Sequence, residues 1–191
     1  MIFRDLNKMK EPSEENIIQL LKDENTRSKA FSSVVQKYQE QLYWLIRKMA
    51  LSHEDTNDIL QNTFLKAWNG LGSFRGDSQV STWLHRIAIN ETFTFLASMQ
   101  MKNVENILDI ENIMVQNLQS DSYFSGDEIQ LKLQKAILSL PPKQRLVFNM
   151  KYFEERKYEE MEEVLGTSVG ALKASYHHAV KKIENFLLTE D

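Results

Sequence analysis

A chain of 191 residues with 42% hydrophobic residues can build one large core or two small ones, and its 6 glycines and 3 prolines leave few breaks in a helix-forming composition. With no cysteine it excludes disulfides and thiolate metal sites; no segment reaches the length of an apolar membrane span and Met1 to Lys10 lacks the apolar run of a signal peptide, so a cytoplasmic protein is expected. A formal charge of -4 and a pI near 5.7 argue against a protein that grips nucleic acid unaided, because that affinity comes mainly from neutralising phosphates.

Pro12-Ser13-Glu14-Glu15 reads as a helix start, with Ile17, Ile18, Leu20 and Leu21 as the apolar side. Phe31, Val34, Val35, Tyr38, Leu42, Leu45, Ile46 and Met49 keep helical spacing and predict a long helix from about Arg27 to Ala50. Its partner begins at Ser52-His53-Glu54-Asp55, which has the cap-then-acid spacing of a capping box. Ile59, Leu60, Phe64, Ala67, Trp68 and Leu71 line the inward face of that partner, opposite a polar face of Asp58, Gln61, Asn62 and Lys66. The glycine loop Gly70 to Gly76 ends it. Ser78 or Ser81 is expected to cap the next helix, which carries Trp83, Leu84, Ile87, Ala88, Phe93 and Leu96.

From about Met101 to Gly126 the composition turns to Asn, Gln, Ser and Asp with scattered apolar residues, the character of a linker, with a short helix expected around Ile107 to Leu118. A second helical unit follows. Ile129, Leu131, Leu133, Ile137 and Leu138 mark its first helix, Pro141-Pro142 breaks it, and Lys143 to Tyr152 forms the next. The pattern contains no internal repeat and no alternating strands. An all-α fold is expected, with two small helical domains at 1–100 and 127–191 joined by a linker at 101–126.

The last stretch, Tyr158 to Ile183, has the signature of a helix-turn-helix. Leu165 closes a short helix, Gly166 can take the left-handed conformation that ends it, and the Ser168 hydroxyl can cap the next. Val169, Leu172, Tyr176, Ala179, Ile183 and Phe186 then recur at helical spacing as one buried face. The opposite face holds Gly170, Ala171, Lys173, Ala174, His177, His178, Lys181 and Lys182, and no acidic residue occurs from Thr167 to Ile183. Small residues near a helix start permit close approach to base edges, and lysines reach phosphates. Two helices around a glycine turn also occur as plain packing units, so this segment alone leaves DNA binding and simple packing both open.

Two separated stretches, taken together, match one family. DILQNTFLKAWNGLGSFRGDSQVSTWLHRIAIN, Asp58 to Asn90, resembles region 2 of bacterial sigma factors, and Leu140 to Ile183 resembles region 4. The chain is similar to extracytoplasmic-function sigma factors of the sigma-70 family. That resemblance implies a transcription initiation factor that brings core RNA polymerase to promoter DNA and helps to melt it. It places Asp58, Gln61 and Asn62, with Lys66 beside them, against the polymerase. It also assigns Phe74, Arg75, Gly76, Asp77 and Ser78 to a pocket for an unstacked base of the minus-ten element, with Arg86, Asn90 and Thr92 along the next helix toward the nontemplate strand. Trp83 is a secondary candidate there, with burial in the core as its alternative. At the minus-thirty-five element the resemblance implicates Ser168, Gly170, Ala171, Lys173, Ala174, Ser175 and His178.

Where many relatives carry arginines this chain has Ser175, His178 and Val180, and where they carry basic residues after the minus-ten helix it has Ala97 to Gln100. Both departures fit an acidic protein whose positive field comes from core polymerase. Family members are commonly held inactive by an anti-sigma factor, so such a partner is expected. No enzyme motif is present: His53, His85, His177 and His178 lack metal-binding spacing, and no phosphate loop or nucleophile elbow occurs. Neither a cofactor, a small-molecule substrate nor direct membrane insertion is expected. A free-standing regulator that binds an operator as a dimer would account for the last eighty residues, yet would leave Asp58 to Asn90 without a role.

Overall fold

In the computed structural model, which describes residues 14–50, 52–102 and 128–189, every regular element among the described residues is helical. Among the described residues before 103 the helices are α1 Glu14–Lys22, α2 Arg27–Ala50, α3 His53–Gly70 and α4 Val80–Lys102, with a 3-10 turn at Leu71–Ser73. After 127 they are α5 Glu128–Leu138, α6 Pro142–Tyr152, α7 Tyr158–Leu165 and α8 Val169–Thr189. The expected linker helix over Ile107 to Leu118, and Pro12-Ser13, lie outside the described residues.

Local chemistry sets most of the boundaries. Ser52 sits in extended backbone and its hydroxyl accepts the Asp55 N–H at 3.3 Å, which starts α3. Pro142 occupies the first turn of α6, where a missing N–H costs nothing, so the proline pair both ends one helix and begins the next. At α4 the expected serine cap is replaced. Val80 N–H donates to the Glu14 carboxylate from α1, while the Ser81 hydroxyl turns to the Gln79 side chain at 3.3 Å. A carboxylate at a helix N-terminus satisfies an open donor and opposes the helix dipole, which a hydroxyl does only in part.

In the first half α2, α3 and α4 pack on one another and α1 crosses α2 beside the 3-10 turn. Leu42, Ile46, Ile59, Ala67, Val80, Leu84 and Ala88 are buried between them. Buried Thr56, Thr63 and Thr92 interrupt this apolar face. Each returns its hydroxyl to the carbonyl four residues back, at 2.6, 2.8 and 2.7 Å, so these three hydroxyls are satisfied within their own helices. Trp68, expected inside, is 40% exposed and meets Phe31 edge-on at 5.2 Å.

In the second half α8 is the hub, packed on α5, α6 and α7. Ala136, Ile137, Leu140, Phe148, Ala179 and Ile183 form one cluster. The others, Leu138, Leu146, Val147, Met150, Met161, Val164 and Leu172, join the same cluster as Leu42 and Leu84. The two halves therefore share apolar core, with α4 against α7 and α2 against α6.

Candidate nucleic-acid interface

The helix-turn-helix is built as its sequence suggests. Gly166 has φ 62° and ψ 24°, its N–H closes on the Glu162 carbonyl at 2.8 Å, and Ser168 accepts the Ala171 N–H at 3.4 Å. Leu172, Ala179 and Ile183 are buried. Gly170, Ala171, Lys173, Ala174, His177, His178, Lys181 and Lys182 are all exposed, so the acid-free face is presented whole. Ser168 is exposed at its start, whereas Ser175 is half-buried and turns toward the first half of the molecule. The Lys173 ammonium lies 5.7 Å from the centre of the Tyr158 ring, and burial raises the Tyr158 phenol above its ordinary range, with Tyr176 adding to the effect.

On α3 the polar strip is equally open. Asp58, Gln61 and Asn62 are exposed one turn apart, opposite buried Thr56, Ile59 and Thr63. Lys66 is exposed too, but its ammonium is bound to the Glu91 carboxylate on α4 at 2.5 Å. It ties α3 to α4 and stands beside the strip with a partner already in place. Leu65 extends the strip as an exposed apolar residue.

The glycine loop differs from expectation at one residue. Phe74 is buried, and its ring stacks on Trp83 at 4.6 Å with the planes 26° apart. It is thus the floor of the loop, packed under half-buried Trp83, and not an open stacking face. Gly76 has φ 85°, where an L side chain is strained, and an added Cβ would come within 3.3 Å of Ile18. That conformation holds Arg75 and Asp77 outward, both exposed, with Ser78 half-buried between loop and helix. The Arg75 carbonyl accepts the Lys22 ammonium at 3.1 Å, which fastens the loop to α1.

Along α4, Arg86 and Asn90 are exposed on one face, but Thr92 is buried and bonded to the Ala88 carbonyl, so it faces the core and not a strand of DNA. Arg86 and Asn90 line a cavity of about 710 Å³ between the halves, facing Lys143, Thr167 and Ser175. Arg86 closes it by donating Nε and Nη2 to the Glu163 carbonyl at 3.2 and 2.5 Å.

A second polar group also sits between the halves. His85 is 2% exposed; its Nδ1 lies 2.7 Å from the Ser81 carbonyl and its Nε2 is 2.9 Å from Arg156 Nη2. A carbonyl only accepts, so Nδ1 carries the proton and Nε2 accepts from Arg156. Burial lowers the His85 pKa below the usual 6.5 and the Arg156 charge lowers it further, against smaller opposing effects of the Ser81 bond and Glu154. Arg156 is also paired with Glu154 at 2.9 Å, and Glu154 reaches Lys48 on α2 at 3.6 Å. Histidine spacing was informative only about metals, and among the described residues no group of three or more His, Cys, Asp or Glu is placed to hold one.

An exposed helix-turn-helix in the second half and an exposed polar strip with a glycine loop in the first define a bipartite helical protein with two candidate binding surfaces. Residues 34–100 match Sigma-70 region 2, and residues 130–183 match Sigma-70, region 4, in that order. The RNA polymerase sigma-H factor of Pseudomonas aeruginosa is 29% identical over 167 residues, covering 83% of this chain and 86% of that protein. The ECF RNA polymerase sigma-E factor of Escherichia coli K12 is 28% identical over 167 residues, covering 82% and 86%. Among solved structures, the sigma factor RpoE of Bartonella quintana, in complex with the anti-sigma factor NepR, superposes with a TM-score of 0.61 at 20% identity over 85% of this chain and 99% of that one. CnrH, in complex with the cytosolic domain of CnrY, gives 0.64 at 19% identity over 94% and 100%. The chain belongs to the sigma-70 family, in its extracytoplasmic-function group.

Proposed function

We infer that this chain is an RNA polymerase sigma factor that directs core polymerase to specific promoters and assists DNA melting. The observation that carries the reading is the pair of region matches in order, each coinciding with an exposed polar surface of suitable chemistry. Region 2 gives Asp58 to Asn90 a role that a free-standing operator-binding regulator leaves unfilled. Bond formation belongs to the polymerase, and this chain supplies position.

The division of labour follows from the surfaces. Asp58, Gln61 and Asn62 form the strip that docks on core polymerase, with Lys66 and its partner Glu91 at the margin. Arg75, Gly76, Asp77 and Ser78, over the Phe74–Trp83 stack, receive an unstacked base of the minus-ten strand, with Arg86 and Asn90 further along. Extrusion of a base costs a few kcal/mol, which a loop that offers hydrogen bonds and a fixed backbone offsets. Ser168, Gly170, Ala171, Lys173, Ala174 and His178 read the minus-thirty-five duplex, with Ser175 inward of them. The boundaries 1–100, 101–126 and 127–191 are the domains that do this.

An acidic chain cannot hold DNA by charge alone, so core polymerase supplies the field and holds both halves at high effective concentration. No helix among the described residues is long and apolar enough to cross a membrane; work on core polymerase sets the chain in the cytoplasm. RpoE was solved with the anti-sigma factor NepR and CnrH with the cytosolic domain of CnrY, and an anti-sigma factor is the corresponding partner here. Size-exclusion chromatography with purified bacterial core polymerase tests the docking. Co-elution that Asp58→Arg abolishes supports the assignment; duplex DNA binding by the free chain, without core association, would replace it with the regulator.

A further inference from the structure

The geometry points to a proton-sensitive latch between the two halves, in which neutral His85 on α4 accepts from Arg156 of the second half, and a proton arriving on Nε2 releases the clasp. The latch needs no metal, ligand or second chain. His85 cannot be moved to another tautomer without loss, because its Nδ1–H is held by the Ser81 carbonyl at 2.7 Å. Protonation turns Nε2 into a donor that faces a guanidinium donor at 2.9 Å, so one hydrogen bond becomes a contact between two cations.

Around the ring stand the Ser81 carbonyl and Thr82 of its own helix, Arg156 and Glu154 from the segment after α6, Lys48 of α2, which reaches Glu154, and Glu160 of α7, which lines the same space. Lys151 Nζ donates to the Arg156 carbonyl at 3.1 Å and so fixes the segment that carries the guanidinium. Glu154 is already shared by Arg156 and Lys48, which leaves it little capacity to neutralise an imidazolium. A cavity of about 510 Å³ lined by Gln41, Trp44, His85 and Arg156 provides the route by which solvent protons reach the ring.

Release has a consequence for promoter capture that rests on the function inferred above. In the clasped state Arg86 is spent on the Glu163 carbonyl, and Asn90 lines the cavity with Lys143 and Ser175, so both stand exposed beside the second half and a DNA strand would have to compete with it for Arg86. The latch itself does not depend on that function, and its test uses the free chain.

The sign follows from the direction of the shift. His85 in the clasped state titrates below 6.5, and in the released state, with burial and Arg156 removed, it returns toward 6.5. The clasp is at full strength above that value and weakens as pH falls through it, with the ratio of released to clasped molecules rising by up to about tenfold per pH unit in the window.

Because the chain has no cysteine, Asn57→Cys on α3 and Asn185→Cys on α8, both at exposed positions, accept a donor–acceptor dye pair without interference. Transfer efficiency is then followed from about pH 7.5 to about pH 5.5, the window set by an imidazole near 6.5, with far-ultraviolet circular dichroism recorded on the same samples. Transfer should fall while helicity holds, and in a His85→Gln background, where the amide oxygen still accepts from Arg156 but does not titrate, it should stay level. Glu154 and Glu160 remain in that variant, so their titration is common to both. An unchanged transfer in the parent, or an equal fall in the variant, overturns the latch. Should His85→Gln fail to fold, nitrogen NMR of the parent decides: protonation of the His85 ring must coincide with the loss of transfer, and separate midpoints refute it.

Discussion

Gly166 and Gly170 stand four residues apart, and an added Cβ meets nothing within 4 Å at either, yet alanine should act on them in opposite directions. Gly166 holds φ +62°, where an L residue is strained by about 1–2 kcal/mol. The reduced entropy of the unfolded chain returns about 0.4–1 kcal/mol of that. A net loss near 1 kcal/mol remains for Gly166→Ala. Gly170 lies in the first turn of α8, and alanine there gains up to about 1 kcal/mol of helix propensity with no strain. For a chain of this size each kcal/mol moves Tm by about 2–4 °C. Thermal unfolding followed by circular dichroism should therefore show Gly166→Ala below the parent and Gly170→Ala above it, with Gly166→Asn between parent and alanine because asparagine tolerates the left-handed region. Shifts of the same sign, or Asn as damaging as Ala, would refute the assignment of Gly166 as a conformational stop.

Asp58→Arg should weaken core polymerase binding by about tenfold or more, equivalent to roughly 1.4 kcal/mol, in a fluorescence titration. Lys173→Glu should leave that titration unchanged but lower capture of minus-thirty-five duplex by holoenzyme and flatten its salt dependence by about one phosphate contact. Glu14→Ala removes the carboxylate that receives the Val80 N–H and should cost about 1 kcal/mol in urea unfolding, the typical loss for a removed helix cap. Met161→Ala opens a fully buried site shared by both halves and should cost about 2–5 kcal/mol in the same assay.

Helix periods were legible because each helix turns one face inward: the predicted Arg27 to Ala50 helix is α2, and Leu172, Ala179 and Ile183 are buried as their spacing requires. The Ser52 and Ser168 caps and the Gly166 stop were legible too, since cap chemistry is local. What spacing cannot give is the identity of the surface against which a face is buried. The α4 cap comes from Glu14, sixty-six residues away in sequence, and a hydroxyl next door looked sufficient until the carboxylate was in place. Thr92 is polar by composition, but a threonine that bonds its own helix backbone is as easily buried as a valine. Phe74 and Trp83 lie nine residues apart in sequence, with nothing in their spacing to join them, and form one stack. The spacing of His85 speaks only to metal binding; its partner, Arg156, lies seventy-one residues on and meets it only when the halves are packed together.

Run-off transcription on fragments of the source genome, with purified core polymerase and with or without this chain, is the most direct test of promoter selection by these two helical halves. A discrete set of transcripts that requires the chain, and that shares two upstream elements at fixed spacing, is the expected result. Transcripts identical in the presence and absence of the chain would contradict it.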